Sequence, residues 1–120
     1  MVVDELDALR SKFDGCETIA FADLSTQMIL VTDSGSDLRR EALDALCSEA
    51  TLTLGATGTP AIGTQISTVS IVAGKAVLRL FVRATQEPNE VLCCICTPKV
   101  DVGAFLADAR SCLNRISGSA

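Results

Sequence analysis

Three cysteines, Cys93, Cys94 and Cys96, crowd into four positions near the C-terminal end, and thiols so close together invite a metal or redox reading. Zinc sites favour pairs such as Cys-x-x-Cys and usually take four ligands. On a strand, Cys94 and Cys96 share one face while Cys93 points to the other. Two residues apart on a strand, Cys94 and Cys96 have Cα atoms about 6.6 Å apart, near the upper limit for a disulfide. Free cysteine is also among the most buried residue types. Cys16, Cys47, Cys93, Cys94, Cys96 and Cys112 are therefore expected to be reduced core residues. A thiol-redox sensor around Cys93–Cys96 is the alternative, and it would need exposed thiols with positive neighbours.

Other chemistry is mostly excluded. The sequence has no His and no Tyr, which removes the usual general base and most nucleophile–base pairs. No Cys stands six residues before an Arg, so a phosphatase-type thiolate loop is absent. Asp33-Ser-Gly-Ser-Asp37 resembles part of a calcium loop but lacks its further acidic positions and final Glu. A turn with a helix cap from Ser36 or Asp37 explains that segment better. Gly74-Lys75 has Ala76 where a phosphate loop needs Ser or Thr, and no upstream Gly. Arg79 and Arg83 read as a solvated strand face, or more sharply as a contact patch for an acidic partner. No catalytic, cofactor-binding or metal-binding residue is expected, and the chain is expected not to be an enzyme.

The 120 residues suit one domain, 1–120, with a single core. Apolar residues make up 48%, yet there are only four Phe and no Trp. Such a core is built from Leu, Ile, Val, Ala and Cys, which favours helices laid on a sheet. The net charge of −5 argues against nucleic acid and against an anionic membrane surface. The N-terminus is acidic where a signal peptide would be basic. No apolar run approaches the roughly 18 residues of a membrane span. A cytoplasmic location is the expectation.

Hydrophobic period then supplies the elements. Leu6, Leu9 and Phe13 fall on one face of a helix over about 3–14. Strands are expected at Cys16–Leu24 and Met28–Thr32, joined as a hairpin. A helix is expected over about 38–53, then a Gly- and Thr-rich loop over 55–65. Ile66–Val72 and Ala76–Ala84 read as strands around the turn Ala73-Gly-Lys75. In the latter, Leu78, Leu80 and Val82 alternate with Val77, Arg79, Phe81 and Arg83. Val91–Thr97 is apolar on both faces, which places it centrally. Asp101–Ile116 is the last helix. The fold class is α+β, a five-stranded antiparallel sheet with helices on its faces, in the order α-β-β-α-β-β-β-α.

The second helix is the most informative element. Leu38, Ala42, Leu43, Ala45, Leu46, Cys47, Ala50 and Leu54 spread over about half of its circumference, and a helix covering one sheet needs a stripe little over 100° wide. Arg40, Glu41, Asp44 and Ser48 hold the opposite sector. The surplus apolar surface points to a second copy of the same helix, or else to cover from the first or last helix.

The element order at this length resembles the Roadblock/LC7 family. The similarity rests on the hairpin, turn and helix of Ile29-Leu-Val-Thr-Asp-Ser-Gly-Ser-Asp-Leu-Arg-Arg, on the hairpin through Ala73-Gly-Lys75, and above all on Val91-Leu-Cys-Cys-Ile-Cys-Thr-Pro-Lys-Val-Asp-Val-Gly-Ala-Phe-Leu106. The cysteine cluster and the Thr- and Gly-rich loop depart from the family pattern. The resemblance implies a non-enzymatic interaction module, a homodimer or a heterodimer with a paralogous chain. The second helix and third strand would pair across a two-fold axis, with Leu43, Leu46, Cys47, Ala50, Leu54, Thr68 and Ser70 at the interface. It also implies a role in scaffolding or regulating a small Ras-like GTPase. A small-ligand sensor of profilin-like shape is the remaining alternative.

Overall fold

The computed structural model describes residues 2–55 and 68–117. Eight elements follow in the expected order: α1 (Val2–Lys12), β1 (Cys16–Asp23), β2 (Met28–Thr32), α2 (Arg40–Leu54), β3 (Val69–Ala73), β4 (Leu78–Arg83), β5 (Glu90–Cys96) and α3 (Val102–Ile116). The strands form one sheet in the order β2-β1-β5-β4-β3, with every neighbouring pair antiparallel. β5 is central, as its two apolar faces require, and β2 and β3 are the edges.

The alternation of each strand divides the core into two layers. Ile19 and Phe21 of β1, Leu80 and Val82 of β4, and Leu92, Cys94 and Cys96 of β5 pack beneath α1 and α3. Phe105, Ala109, Cys112, Leu113 and Ile116 supply the buried stripe of α3, and Phe13 meets Phe105 edge-to-face with ring centroids 5.2 Å apart. On the other side, Ala20, Ala22, Phe81, Val91 and Cys93 pack beneath α2. Ala20 and Ala22, poor strand formers in isolation, leave space for a helix lying close to the sheet. Burial of the surrounding apolar surface then outweighs the local preference.

Helix ends show where local patterning was misleading. Asp101 caps α3 by accepting a hydrogen bond from the Ala104 N–H at 3.2 Å. The expected Ser36 or Asp37 cap on α2 does not form; the helix starts later, and its N-cap is Arg39, without a side-chain cap bond. The preceding segment is occupied elsewhere. Ser34 donates from its N–H and its hydroxyl to the two carboxylate oxygens of Asp7, at 2.7 and 2.8 Å. Asp33, fully buried, accepts from the Ile19 N–H at 2.9 Å. Its other oxygen lies 2.9 Å from Arg10 Nε, an ion pair by distance but not aligned as a hydrogen bond. The turn is therefore bound to α1 and β1 before α2 begins. At the other end, Gly55 terminates α2 with φ of +88°, a backbone conformation that glycine adopts without steric cost.

β3 begins at Val69; the expected start at Ile66, and the expected loop beyond Gly55, lie outside the described residues.

Candidate interaction surface

No group of three or more His, Cys, Asp or Glu side chains among the described residues is arranged to hold a metal ion. Attention therefore falls on surfaces, and on α2 with the adjoining strand edge.

α2 meets the sheet through Leu46, Cys47, Ala50 and Leu54, all buried within the single subunit. This corrects the reading of these four side chains as interface atoms, because the chain's own β1, β4 and β5 already cover them. Leu43 is half-buried and lines a cavity of about 170 Å³ between α2 and β2. The outward sector carries Glu41, Ala45, Ser48 and Leu52, all exposed. Leu52 is the most exposed large apolar residue described, at 83%.

Two arginines fix α2 over β4. Arg79 makes a two-point ion pair with Glu49, one contact being Nη2 to Oε2 at 3.2 Å. Donating to the Glu49 carboxylate raises the Arg79 pKa above its ordinary value. Arg83 is not on a solvated face, as expected from the sequence; it is 95% covered and its Nη2 donates to Leu54 O at 3.0 Å and to Gly55 O. Burial lowers its pKa from the ordinary value. A guanidinium over the last carbonyls of α2 also suits the negative end of the helix dipole. The signal for this arrangement was present: Arg79 and Arg83 share parity with Phe81, and that parity faces α2.

Beside this helix runs the outer edge of β3. Among the described strands β3 pairs only with β4. Ser70 and Val72 lie opposite Phe81 and Arg79, on the α2 side, and both are half-buried. Ile71 faces the other way and is 45% exposed. Thr68 precedes the strand and is exposed; its hydroxyl accepts from Arg110 at 3.4 Å. Ser70 thus stands on the edge beside α2, while Thr68 is tied towards α3.

The cysteines divide as alternation requires. Cys93 and Cys47 lie beneath α2, whereas Cys16, Cys94, Cys96 and Cys112 lie beneath α1 and α3. All six are free and buried. Burial raises the thiol pKa of Cys47, Cys93 and Cys94, the opposite of what a nucleophilic thiolate needs.

No family model matches the sequence, and no curated protein matches it. Solved structures do. A Roadblock/LC7 domain from Streptomyces avermitilis superposes with a TM-score of 0.72 at 8% identity, covering 93% of this chain and 91% of that one. MglB from Myxococcus xanthus gives a TM-score of 0.75 at 14% identity, covering 99% and 96%. The chain has the Roadblock/LC7 fold. The same architecture extends to profilin-like proteins: the LokiProfilin1/rabbit actin complex matches with a TM-score of 0.62 at 13% identity, over 99% of this chain and 96% of that one. In this Roadblock/LC7 fold, helix α2 crosses one face of the sheet and its last turns lie near β4 and the β3 edge.

Proposed function

We propose that this chain is a non-enzymatic, dimer-forming interaction module that scaffolds or regulates a small Ras-like GTPase. The observation that carries the reading is the outer edge of β3, unpaired among the described strands, beside an α2 whose outward face presents Leu52 at 83% exposure. An open edge offers a row of N–H and C=O groups to another strand. Pairing two β3 strands across a two-fold axis would satisfy both rows and bring two α2 helices together. The helix contribution to such a dimer comes from its outward sector, with Leu52 foremost, together with Leu43 and Ser70. The GTPase role is supported by the likeness to MglB and by what the family resemblance implies.

The small-ligand reading has less support. The pocket between α2 and β2 measures about 170 Å³, against the ~300 Å³ and more of typical ligand sites, and the pocket of about 350 Å³ beside α3 is lined by the polar Thr85, Gln86, Asn114 and Ser117, where ligand sites are mostly apolar.

The test is retention of Ras-like GTPases from the same genome on the immobilised chain, each loaded with GDP or with a non-hydrolysable GTP analogue. Retention that depends on the nucleotide state supports the proposal. Failure of every GTPase to bind in either state overturns the GTPase role.

A further inference from the structure

Of the six thiols, two face each other directly. Cys16, the first residue of β1, is the cross-strand partner of Cys96, the last residue of β5. One step outward, the Thr97 N–H donates to Gly15 O at 2.7 Å. That makes 15:97 a hydrogen-bonded rung, and 16:96 the non-hydrogen-bonded rung next to it. In such a rung the Cα atoms approach to about 4.5 Å and the side chains are at their closest. Disulfides bridge Cα separations from about 4.4 Å upward. Both side chains lie in the same buried cluster beneath α1 and α3. The other pairings suit a bond less well. Cys93 and Cys94 point to opposite faces, and Cys94 and Cys96, two apart on one strand, stand about 6.6 Å apart.

The position also suits slow, selective access. The ladder shifts register between Cys16 and Thr18, so the pair sits at an interrupted end of the sheet. Strand ends open locally at less cost than the centre. Cys16 retains 6% exposure and Cys96 none. A small oxidant reaches such a sulfur during end-opening; a tripeptide disulfide, which must first form a bulky mixed disulfide, does not.

We propose that Cys16 and Cys96 are an oxidisable pair that a small hydroperoxide closes into an intrachain disulfide. The Cys96 thiolate attacks one oxygen of the peroxide O–O bond, giving a sulfenic acid; the other oxygen leaves and takes up a proton to become water. The Cys16 sulfur then attacks the sulfenic sulfur. The S–S bond forms, the hydroxyl leaves as a second water, and the Cys16 proton goes with it. The two thiols lose two electrons and the peroxide gains them. The same balance holds with the two cysteines exchanged, and the product is the same.

The new bond would join the turn that leaves α1 to the segment that enters α3. This junction is tightly packed: a Cβ on Gly15 would stand 2.8 Å from the Thr97 side-chain Oγ1 and 3.3 Å from Val100 Cα. The bond closes a long loop and lies on the α1 and α3 side of the sheet, across from α2. Oxidation therefore stabilises the fold and leaves the proposed partner surface unchanged.

The experiment treats the folded chain with hydrogen peroxide, blocks remaining thiols, and maps tryptic peptides without reduction. Peptide 13–39 joined to peptide 84–99, with fragmentation placing the link at Cys16 and Cys96, is the expected result. The melting temperature should rise by on the order of 10 °C, fall back with dithiothreitol, and show no such rise in Cys16→Ala. A link to Cys93 or Cys94, a sulfinic acid at Cys96 without a link, or an unmodified Cys16 overturns the proposal. The wild-type map decides even where a variant folds poorly. A parallel arm with oxidised glutathione should give no link over the same time; a faster reaction there overturns the assignment to peroxide.

Discussion

Leu52→Lys separates the proposed interface from the fold more cleanly than any other change in α2. At 83% exposure, the Leu52 side chain contributes little to the subunit's own core. Lysine has nearly the helix propensity of leucine, and a cation in the last turn of a helix is favoured by the dipole. The subunit should therefore keep its stability to within about 0.5 kcal/mol in urea denaturation of the monomeric population. The dimer should not keep its affinity. Burying a leucine side chain contributes about 1.5–3 kcal/mol, and a two-fold axis uses the residue twice. Loss of even the lower sum, roughly 3 kcal/mol, weakens association on the order of 100-fold. An ammonium group trapped in the contact weakens it further.

Sedimentation equilibrium across a wide concentration range reads the dissociation constant directly. The wild-type chain should approach twice the 12.6 kDa subunit mass, and Leu52→Lys should stay near the subunit mass at the same concentrations. A wild type that remains monomeric refutes the reasoning, as does a Leu52→Lys dimer as tight as wild type. Leu46→Asp cannot serve in its place. Leu46 is buried against Phe81 and its neighbours, so a charge there unfolds the subunit and reports nothing about a partner.

Asp33→Ala should cost about 3 kcal/mol in urea denaturation, the low end for breaking a buried pair, because its partner Arg10 is partly exposed and can rehydrate; a cost below about 1 kcal/mol would show that the clamp between α1 and β1 is dispensable. Asp7 has its pKa lowered by the Ser34 N–H and hydroxyl, so its contribution is complete above the ordinary carboxylate pKa of 3.8 and is lost as pH falls through the lower folded value. Asp7→Asn should accordingly flatten the acid limb of a stability-against-pH profile below about pH 4, and an unaltered limb would contradict this.

The sheet was legible because its strands have unambiguous periods. β5 is apolar on both faces and lies in the middle; β4 alternates, and its Leu78, Leu80 and Val82 set packs under α1 and α3. α3 carries a clean apolar stripe and its cap residue. What misled was α2. A helical wheel counts Ala42 and Ala45 as apolar beside Leu43 and Leu46, yet a methyl group can stand in water at little cost. Counted by area, the buried stripe is Leu46, Cys47, Ala50 and Leu54, an ordinary width for a helix on a sheet. Of the surplus apolar surface only Leu52 is substantial. The Asp33 clamp was illegible for a different reason: its partners, Arg10 and Ile19, are distant in sequence, and a carboxylate after a strand matches the local pattern of a turn. Arg83 was half legible: its parity with Phe81 set it on the α2 side, but exposure is the norm for arginine and only the end of α2 supplies its acceptors.

Among the described residues the sheet has two open edges, and exposed apolar residues alone do not choose between them. β2 presents Met28 and Leu30, each nearly half exposed, and β3 presents Ile71. The difference is what stands beside each edge. Near β2, Ile29 packs against the α2 layer, but the first turns of α2 border an open groove lined by Arg40, Leu43 and Asp44. Near β3, the Glu49–Arg79 ion pair and the Arg83 bonds to Leu54 and Gly55 fasten the last turns of α2 to β4, the strand that carries β3. A strand added to β3 therefore meets a helix held in place, and little side-chain freedom remains to be lost there on association. A strand added to β2 meets that groove, where no ion pair comparable to Glu49–Arg79 holds the helix among the described residues. Rigidity of the neighbouring helix, more than exposed apolar area, is the physical reason to place the partner at β3.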